Sequence, residues 1–161
     1  QYASPAAKSA VVDHLDVVLL GATEIDTDFN VNVHTDSAGC IMGGSGGHSD
    51  TAAGAKLSMI IAPLFRARLP IITGRVRCIS TPGRDVDVVV TQRGVAVNPT
   101  KPDLALRLKD AGLPIVDIHE LKQIAERITG VPAVPPEGGR VVARVRSRDG
   151  EPQDVIRQLT R

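Results

Sequence analysis

The amino-acid sequence predicts an α/β fold in one domain: an open, mostly parallel sheet with flanking helices, closed at the carboxyl end by a β-hairpin. Three observations carry the prediction. The run His14 to Gly21 is apolar on consecutive rather than alternating positions, which marks a parallel strand buried on both faces. Further along, short apolar runs alternate with segments whose apolar residues recur every three or four positions, the mark of amphipathic helices. The length, 161 residues, suits a single domain and suffices to bury a core without disulfide or metal staples.

Taken in order, Val17-Val18-Leu19-Leu20 reads as a central parallel strand. Ala22 to Val33 carries turn-forming Asp, Thr and Asn, then ends in the alternating Asn30-Val31-Asn32-Val33, a short strand or extended edge. Gly39 to Gly47 holds five glycines and is a loop that permits positive φ and close approach of a ligand to backbone. Ser49 or Asp50 is placed to cap a helix running through Leu57. Pro70-Ile71-Ile72 and Cys78-Ile79 read as strand, and Val86 to Thr91 turns through Gln92-Arg93-Gly94 into Val95-Ala96-Val97. A helix from about Pro102 to Ala111 presents Leu104, Leu108 and Ala111 on one face. Ile115-Val116 is a short strand. Ile118 to Ile128 is a second helix with Leu121, Ile124, Ala125 and Ile128 inward and Gly130 as its stop. Residues 131–139 form a Pro/Gly linker, and 140–161 a terminal hairpin through Asp149-Gly150.

Composition narrows the function. With 19 Lys and Arg against 18 Asp and Glu the net charge is +1, so no general attraction to nucleic acid or to an anionic membrane is expected. Aromatics are 2% of the chain, too few for base-stacking platforms. No apolar stretch approaches the ~20 residues of a membrane helix, and no secretory signal pattern is visible. Cys40 and Cys78 are far apart and form no CxxC pair, which suits a reducing, cytoplasmic compartment. The chain opens on Gln1, as expected of a piece whose amino-terminal partner region lies elsewhere.

Several constellations could carry chemistry. Gly43-Gly44-Ser45-Gly46-Gly47 fits the nucleophile-elbow pattern G-x-S-x-G, for which Asp117 and His119 would have to complete a triad. The same loop, running into a helix, could offer its amides to a phosphate, carboxylate or oxyanion, or could be a plain structural turn. Neither Walker A nor the dinucleotide fingerprint is present, and His14, His34, His48 and His119 have no metal-ligand spacing. Glu24 stands past the carboxyl end of the first strand, where open α/β sheets place their sites. A carboxylate there is either a nucleophile in a water-excluding pocket or a solvated loop acid beside Asp26 and Asp28. Arg66, Arg68, Arg75, Arg77 and Arg84 form a basic neighbourhood that could meet anions or face solvent.

Together, Gly21-Ala22-Thr23-Glu24-Ile25-Asp26, the stretch Phe29 to Ser37, the stretch Ile41 to Thr51 and the stretch Val88 to Pro99 resemble the citrate lyase alpha-subunit family, within the CoA-transferase superfamily. The resemblance runs from about Val17 to the end and covers only the carboxyl-terminal part of a longer subunit. It implies a CoA-transferase-like fold over residues 1–161, with Glu24 as catalytic glutamate and Gly43, Gly44, Ser45, Gly46 and Gly47 lining the acyl-thioester site. Implied too are citrate and acetyl thioesters as substrates, and CoA or the CoA-derived arm of an acyl carrier protein as the thiol, with no tightly bound cofactor and no metal. The implied partners are the lyase beta subunit, the gamma acyl carrier protein and the absent amino-terminal half. Two departures, Phe29 where superfamily relatives usually carry glycine and His48-Ser49-Asp50 where they tend to carry Asp-Phe, favour the citrate lyase branch. Other readings stand beside it: another acyl-CoA:carboxylate transferase or an acetyl-CoA hydrolase, a Ser45 hydrolase, and a non-catalytic assembly domain.

Overall fold

The structure is a computed structural model that describes residues 10–133, 136 and 138–159. In chain order its elements are β1 (Val17–Leu20), β2 (Glu24–Asp26), β3 (Val31–Asn32), α1 (His48–Gly54), β4 (Leu57–Ile61), β5 (Phe65–Arg66), β6 (Leu69–Pro70), β7 (Ile72–Thr73), β8 (Val88–Thr91), β9 (Gly94–Val97), α2 (Pro102–Asp110), α3 (Ile118–Thr129), β10 (Val141–Arg146) and β11 (Pro152–Arg157). The main sheet has the order β1-β4-β8-β9, parallel through its first three strands and antiparallel at β9. A second sheet, β3-β2-β7, carries the acidic motif. Between the two sheets and α3 lies an aliphatic core built on Ile25, Val31, Ile60, Leu64, Ile72, Val89, Leu121 and Ala125, with Phe29 its only aromatic member.

The terminal hairpin forms as the Asp149-Gly150 turn predicts, with Gly150 at a positive φ. It clamps the segment before β8: Val145 and Ile156 pack on Cys78, Asp154 accepts the Ile79 N–H at 2.7 Å, and Gln153 donates to the carbonyls of Ile79 and Ser80. Arg148 adds a two-pronged pair to Asp13. Positions 134, 135 and 137 of the linker, and the hairpin's last two residues, lie outside the described residues. Among the described residues no helix is long and apolar enough to cross a membrane.

The structure corrects several expectations. The single open sheet is divided: β2, β3 and β7 pair among themselves in a sheet separate from β1-β4-β8-β9. Among the described residues β1 is parallel but lies at the edge rather than the centre, with Val17 and Leu19 turned outward and only the opposite face on the core. Gly47, not Ser49 or Asp50, stands at the N-cap of α1, and no side chain caps it. Cys78-Ile79 forms no strand, since the hairpin's side chains take its backbone groups. Ile115 makes one isolated bridge, to Val95. No residue of α2 is buried, and Ile128 on α3 is exposed beyond the reach of the core.

Candidate functional site

Glu24 is not in a loop past β1 but inside β2, 5% exposed. The reason is local. Asp26 closes a tight turn by accepting the backbone N–H of Asp28 and Asn30 on Oδ1, and the Asn30 side chain and Val76 N–H on Oδ2. This turn holds Phe29 at φ +65°, a left-handed conformation that favours glycine, and the residue is kept there by its buried ring. Gly83 meets the turn from the other side, so close to the Asp28 carbonyl that no β-carbon would fit. Folded back, the chain sets Asn32 directly across from Glu24.

The two acids of the motif are therefore held differently. Among the described residues Asp26 has four donors on its two oxygens, whereas the donors to Glu24 converge on Oε2: Asn32 Nδ2 at 3.0 Å and the Arg77 N–H at 3.4 Å. The reading of Glu24 as a solvated loop acid is overturned, since it is buried, as is Asp26 beside it, while Asp28 is exposed. Asn32 is the organiser. It also donates to Thr35 Oγ1 at 2.9 Å, and its Oδ1 accepts the N–H groups of His34 and Thr35.

Gly43, Gly44, Ser45, Gly46 and Gly47 form a half- to fully exposed loop, with open space beside Gly43, Gly44 and Gly46 and a positive φ of 57° at Gly46. Both ends are pinned. At one end Met42 N–H donates to the His34 carbonyl at 2.8 Å. At the other His48 reaches across with its ring: Nε2 faces the Gly21 carbonyl at 2.8 Å and so carries the hydrogen, leaving Nδ1 to accept from the Thr81 hydroxyl at 2.7 Å. Burial holds the His48 and His34 imidazoles below the usual histidine range. Glu24 and the glycines share no direct bond; they are connected through Asn32 and the His34 backbone.

A cleft of about 410 Å³ opens between the hairpin and the segment before β8. Thr35 and Arg77 line it, and both also touch the Glu24 network, so the carboxylate lies just behind its wall. Arg75 and Arg157 complete a basic lining, while Asp154 there has both oxygens engaged by backbone N–H groups. Arg66, Arg68 and Arg84 of the basic neighbourhood stay on the solvent side.

The serine-hydrolase triad is not assembled. Asp117 caps α3 through the His119 N–H, the His119 ring is exposed, and the rings of His34 and His48 are bonded to Ser80, Thr81 and Gly21 rather than to Ser45. Burial, and secondarily the neighbouring Asp154 carboxylate, push the Cys78 thiol up to about 12, away from the thiolate form a nucleophile needs. Among the described residues no group of three or more His, Cys, Asp or Glu stands close enough to hold a metal. Sequence reasoning passed over Asn32 and undervalued His48. A hairpin closed between Asp26 and Asn30 would have predicted the first, by setting position 32 against 24. The second depends on contacts 27 and 33 residues away.

The same chain matches known proteins over nearly its whole length. The family described as "Citrate lyase, alpha subunit (CitF)" matches residues 1–159. The citrate lyase alpha chain of Klebsiella pneumoniae is 55% identical over 99% of this chain and 31% of that protein, and that of Escherichia coli (strain K12) is 51% identical with the same coverage. The solved alpha subunit of citrate lyase from Streptococcus mutans, in complex with citrate, superposes with a TM-score of 0.95 at 48% identity, covering 99% of this chain and 31% of that one. The chain thus spans about a third of the length of these relatives. With that match and this geometry, the chain belongs to the citrate lyase alpha-subunit family.

Proposed function

We propose that this chain is the part of a citrate CoA-transferase, the alpha component of citrate lyase, that carries the nucleophile Glu24 and the thioester loop Gly43 to Gly47. The single observation behind the assignment is the position of the carboxylate: buried, with its donors gathered on Oε2, and adjoining a cleft lined by Arg75, Arg77 and Arg157. Such a cleft suits a substrate with several carboxylates, and a carboxylate screened from bulk water is a competent nucleophile.

The chemistry is a double exchange. A Glu24 oxygen attacks the acetyl thioester carbonyl, and the tetrahedral adduct expels the thiolate to give a mixed acetyl-glutamyl anhydride. The thiolate returns to the glutamyl carbonyl, acetate departs, and a glutamyl thioester remains. A citrate carboxylate displaces the thiolate again through a citryl-glutamyl anhydride; thiolate attack on the citryl carbonyl then gives citryl thioester and restores Glu24. Each attack builds a tetrahedral oxyanion, and a well-placed amide from the glycine loop would contribute about 3–4 kcal/mol to stabilising it. The thiol belongs to CoA or to the CoA-derived arm of the gamma acyl carrier protein, and the citryl carrier passes to the beta subunit for cleavage. All of this takes place in the full subunit, with the site completed by residues outside this chain.

The glutamyl thioester makes the proposal testable, because borohydride reduces a thioester to an alcohol and spares free carboxylates. The full-length subunit, incubated with the acetylated carrier and then reduced, should lose mass at one glutamate, in the peptide spanning Gly21 to Asn30. Modification of a different acid, or none while exchange proceeds, would remove Glu24 from the mechanism. An adduct on Ser45 would restore the hydrolase reading.

A further inference from the structure

We propose that His48 is a positioning residue of the exchange reaction. By bridging the Gly21 carbonyl and the Thr81 hydroxyl, its imidazole fixes the carboxyl end of the glycine loop against the strand pair that holds Glu24, and the loop amides are aligned before the thioester arrives. The inference rests on the reading of Gly43 to Gly47 as the thioester loop and deepens it by one residue.

The loop has little rigidity of its own. Among the described residues the amides of Gly43, Gly44, Ser45, Gly46 and Gly47 donate no hydrogen bond, and the space beside Gly43, Gly44 and Gly46 is open. Those amides are free to meet a ligand, and for the same reason nothing inside the loop holds their direction. No side chain caps α1, where the loop ends. What fixes this end is the first residue of the helix. The His48 N–H closes a turn onto the Ser45 carbonyl at 3.1 Å, and its ring leaves the helix for two distant parts of the chain.

Both partners of the ring belong to the framework around Glu24. Gly21 lies three residues before it, on the connection from β1 to β2. Thr81 is tied to β3: the Val31 N–H donates to the Thr81 carbonyl at 2.9 Å, and the Thr81 N–H donates to the Val31 carbonyl at 3.1 Å. Val31 in turn pairs with Ile25, the residue next to Glu24. Gln153 steadies the same segment from the terminal hairpin by donating to the Ser80 carbonyl. Thr81 is buried, and among the described residues His48 is the one partner of its hydroxyl, so this donor is reserved for the imidazole.

The consequence is asymmetric. Alignment of the loop matters where a thioester or anhydride carbonyl becomes an oxyanion, and a displacement of about 1 Å can cost about a hundredfold there. The cleft lined by Arg75, Arg77 and Arg157 is built on the terminal hairpin and the segment before β8, and His48 is not part of its wall. Loss of the ring should therefore slow transfer without loosening citrate.

The test compares variants of the full-length subunit in exchange between acetyl-CoA and citrate, and in citrate binding by calorimetry. His48→Ala should slow exchange about tenfold or more and leave the citrate dissociation constant within about twofold. His48→Gln should restore exchange to within about threefold of the unsubstituted subunit, because a carboxamide offers an N–H to Gly21 and a carbonyl to Thr81. Exchange in His48→Ala within about twofold of the unsubstituted rate overturns the proposal. So does a glutamine variant as slow as the alanine variant, or citrate affinity that falls along with the rate. Should His48→Ala not fold, Thr81→Val against Thr81→Ser asks the same question, since serine keeps the hydroxyl; equal rates in that pair also overturn it. Amide exchange reads the loop end whichever acid is the nucleophile. The His48 and Thr51 amides, which close onto the Ser45 and Gly47 carbonyls, should exchange faster in His48→Ala than in His48→Gln, and equal exchange overturns the inference. Borohydride labelling of an acid other than Glu24 would displace the nucleophile and leave this comparison intact.

Discussion

Around β2 the buried Asp26 accepts four hydrogen bonds, three of them from residues within four positions, whereas across β1 and α2 a whole apolar layer ends in solvent. The first region is completed by a turn that its own sequence encodes. The second ends in a row of apolar side chains, Val17, Leu19 and Ile61, that no described residue covers fully. The difference teaches that burial of a polar group is solved locally by donors a few residues away, while burial of a sheet face needs a second layer from distant sequence. Within the first region a finer contrast separates the saturated Asp26 from Glu24, whose donors meet on one oxygen.

The contrast between the two acids is broken most directly by Glu24→Gln. In the full-length subunit thioester exchange should fall about a thousandfold or more, because an amide cannot form the anhydride. Thermal stability should stay within about 1 kcal/mol, since the amide oxygen still accepts from Asn32. Asp26→Ala should do the opposite, lowering unfolding free energy in a denaturant titration by about 3 kcal/mol or more, because each stranded buried donor costs about 1–3 kcal/mol. Equal stability losses in the two variants would erase the distinction.

Phe29→Gly sharpens the account of the turn. Removing a buried aromatic costs about 3–5 kcal/mol, and relief of the left-handed backbone returns about 1–2 kcal/mol, so a net loss of about 1–4 kcal/mol is expected in the same titration. At the glycine loop, Gly46→Val should reduce exchange by about tenfold or more, since a branched side chain resists the positive φ and fills the open side of the backbone. Ser45→Ala should keep activity within about threefold if the loop acts through its amides.

The smallest effect concerns pH. His48 and His34 both have native pKa values lowered by burial. Below the unfolded value of about 6.5 the unfolded chain therefore binds protons that the native one does not, and stability falls as pH drops through this window. A melting-temperature profile between about pH 7.5 and 5 should decline, and His48→Gln should flatten part of the decline while retaining a donor for the Gly21 carbonyl. A profile unchanged by the substitution would show that His48 does not stay neutral in the fold.

The sequence by itself determined the α/β class, the hairpin at Asp149-Gly150, α3 with its stop at Gly130, and the isolation of the glycine run as a loop, because each depends on periodicity or turn chemistry within a dozen residues. It also made Glu24 and the glycines conspicuous, through motifs that remain contiguous in the chain. Tertiary structure alone decided that Glu24 is buried against Asn32 and the Arg77 backbone, that His48 ties the loop to Gly21 and Thr81, and that β1, apolar enough for the middle of a sheet, lies at its edge. The physical reason is common to all three: which atoms surround a residue, and which strand pairs with which, depends on segments tens of residues away, and no local pattern records them.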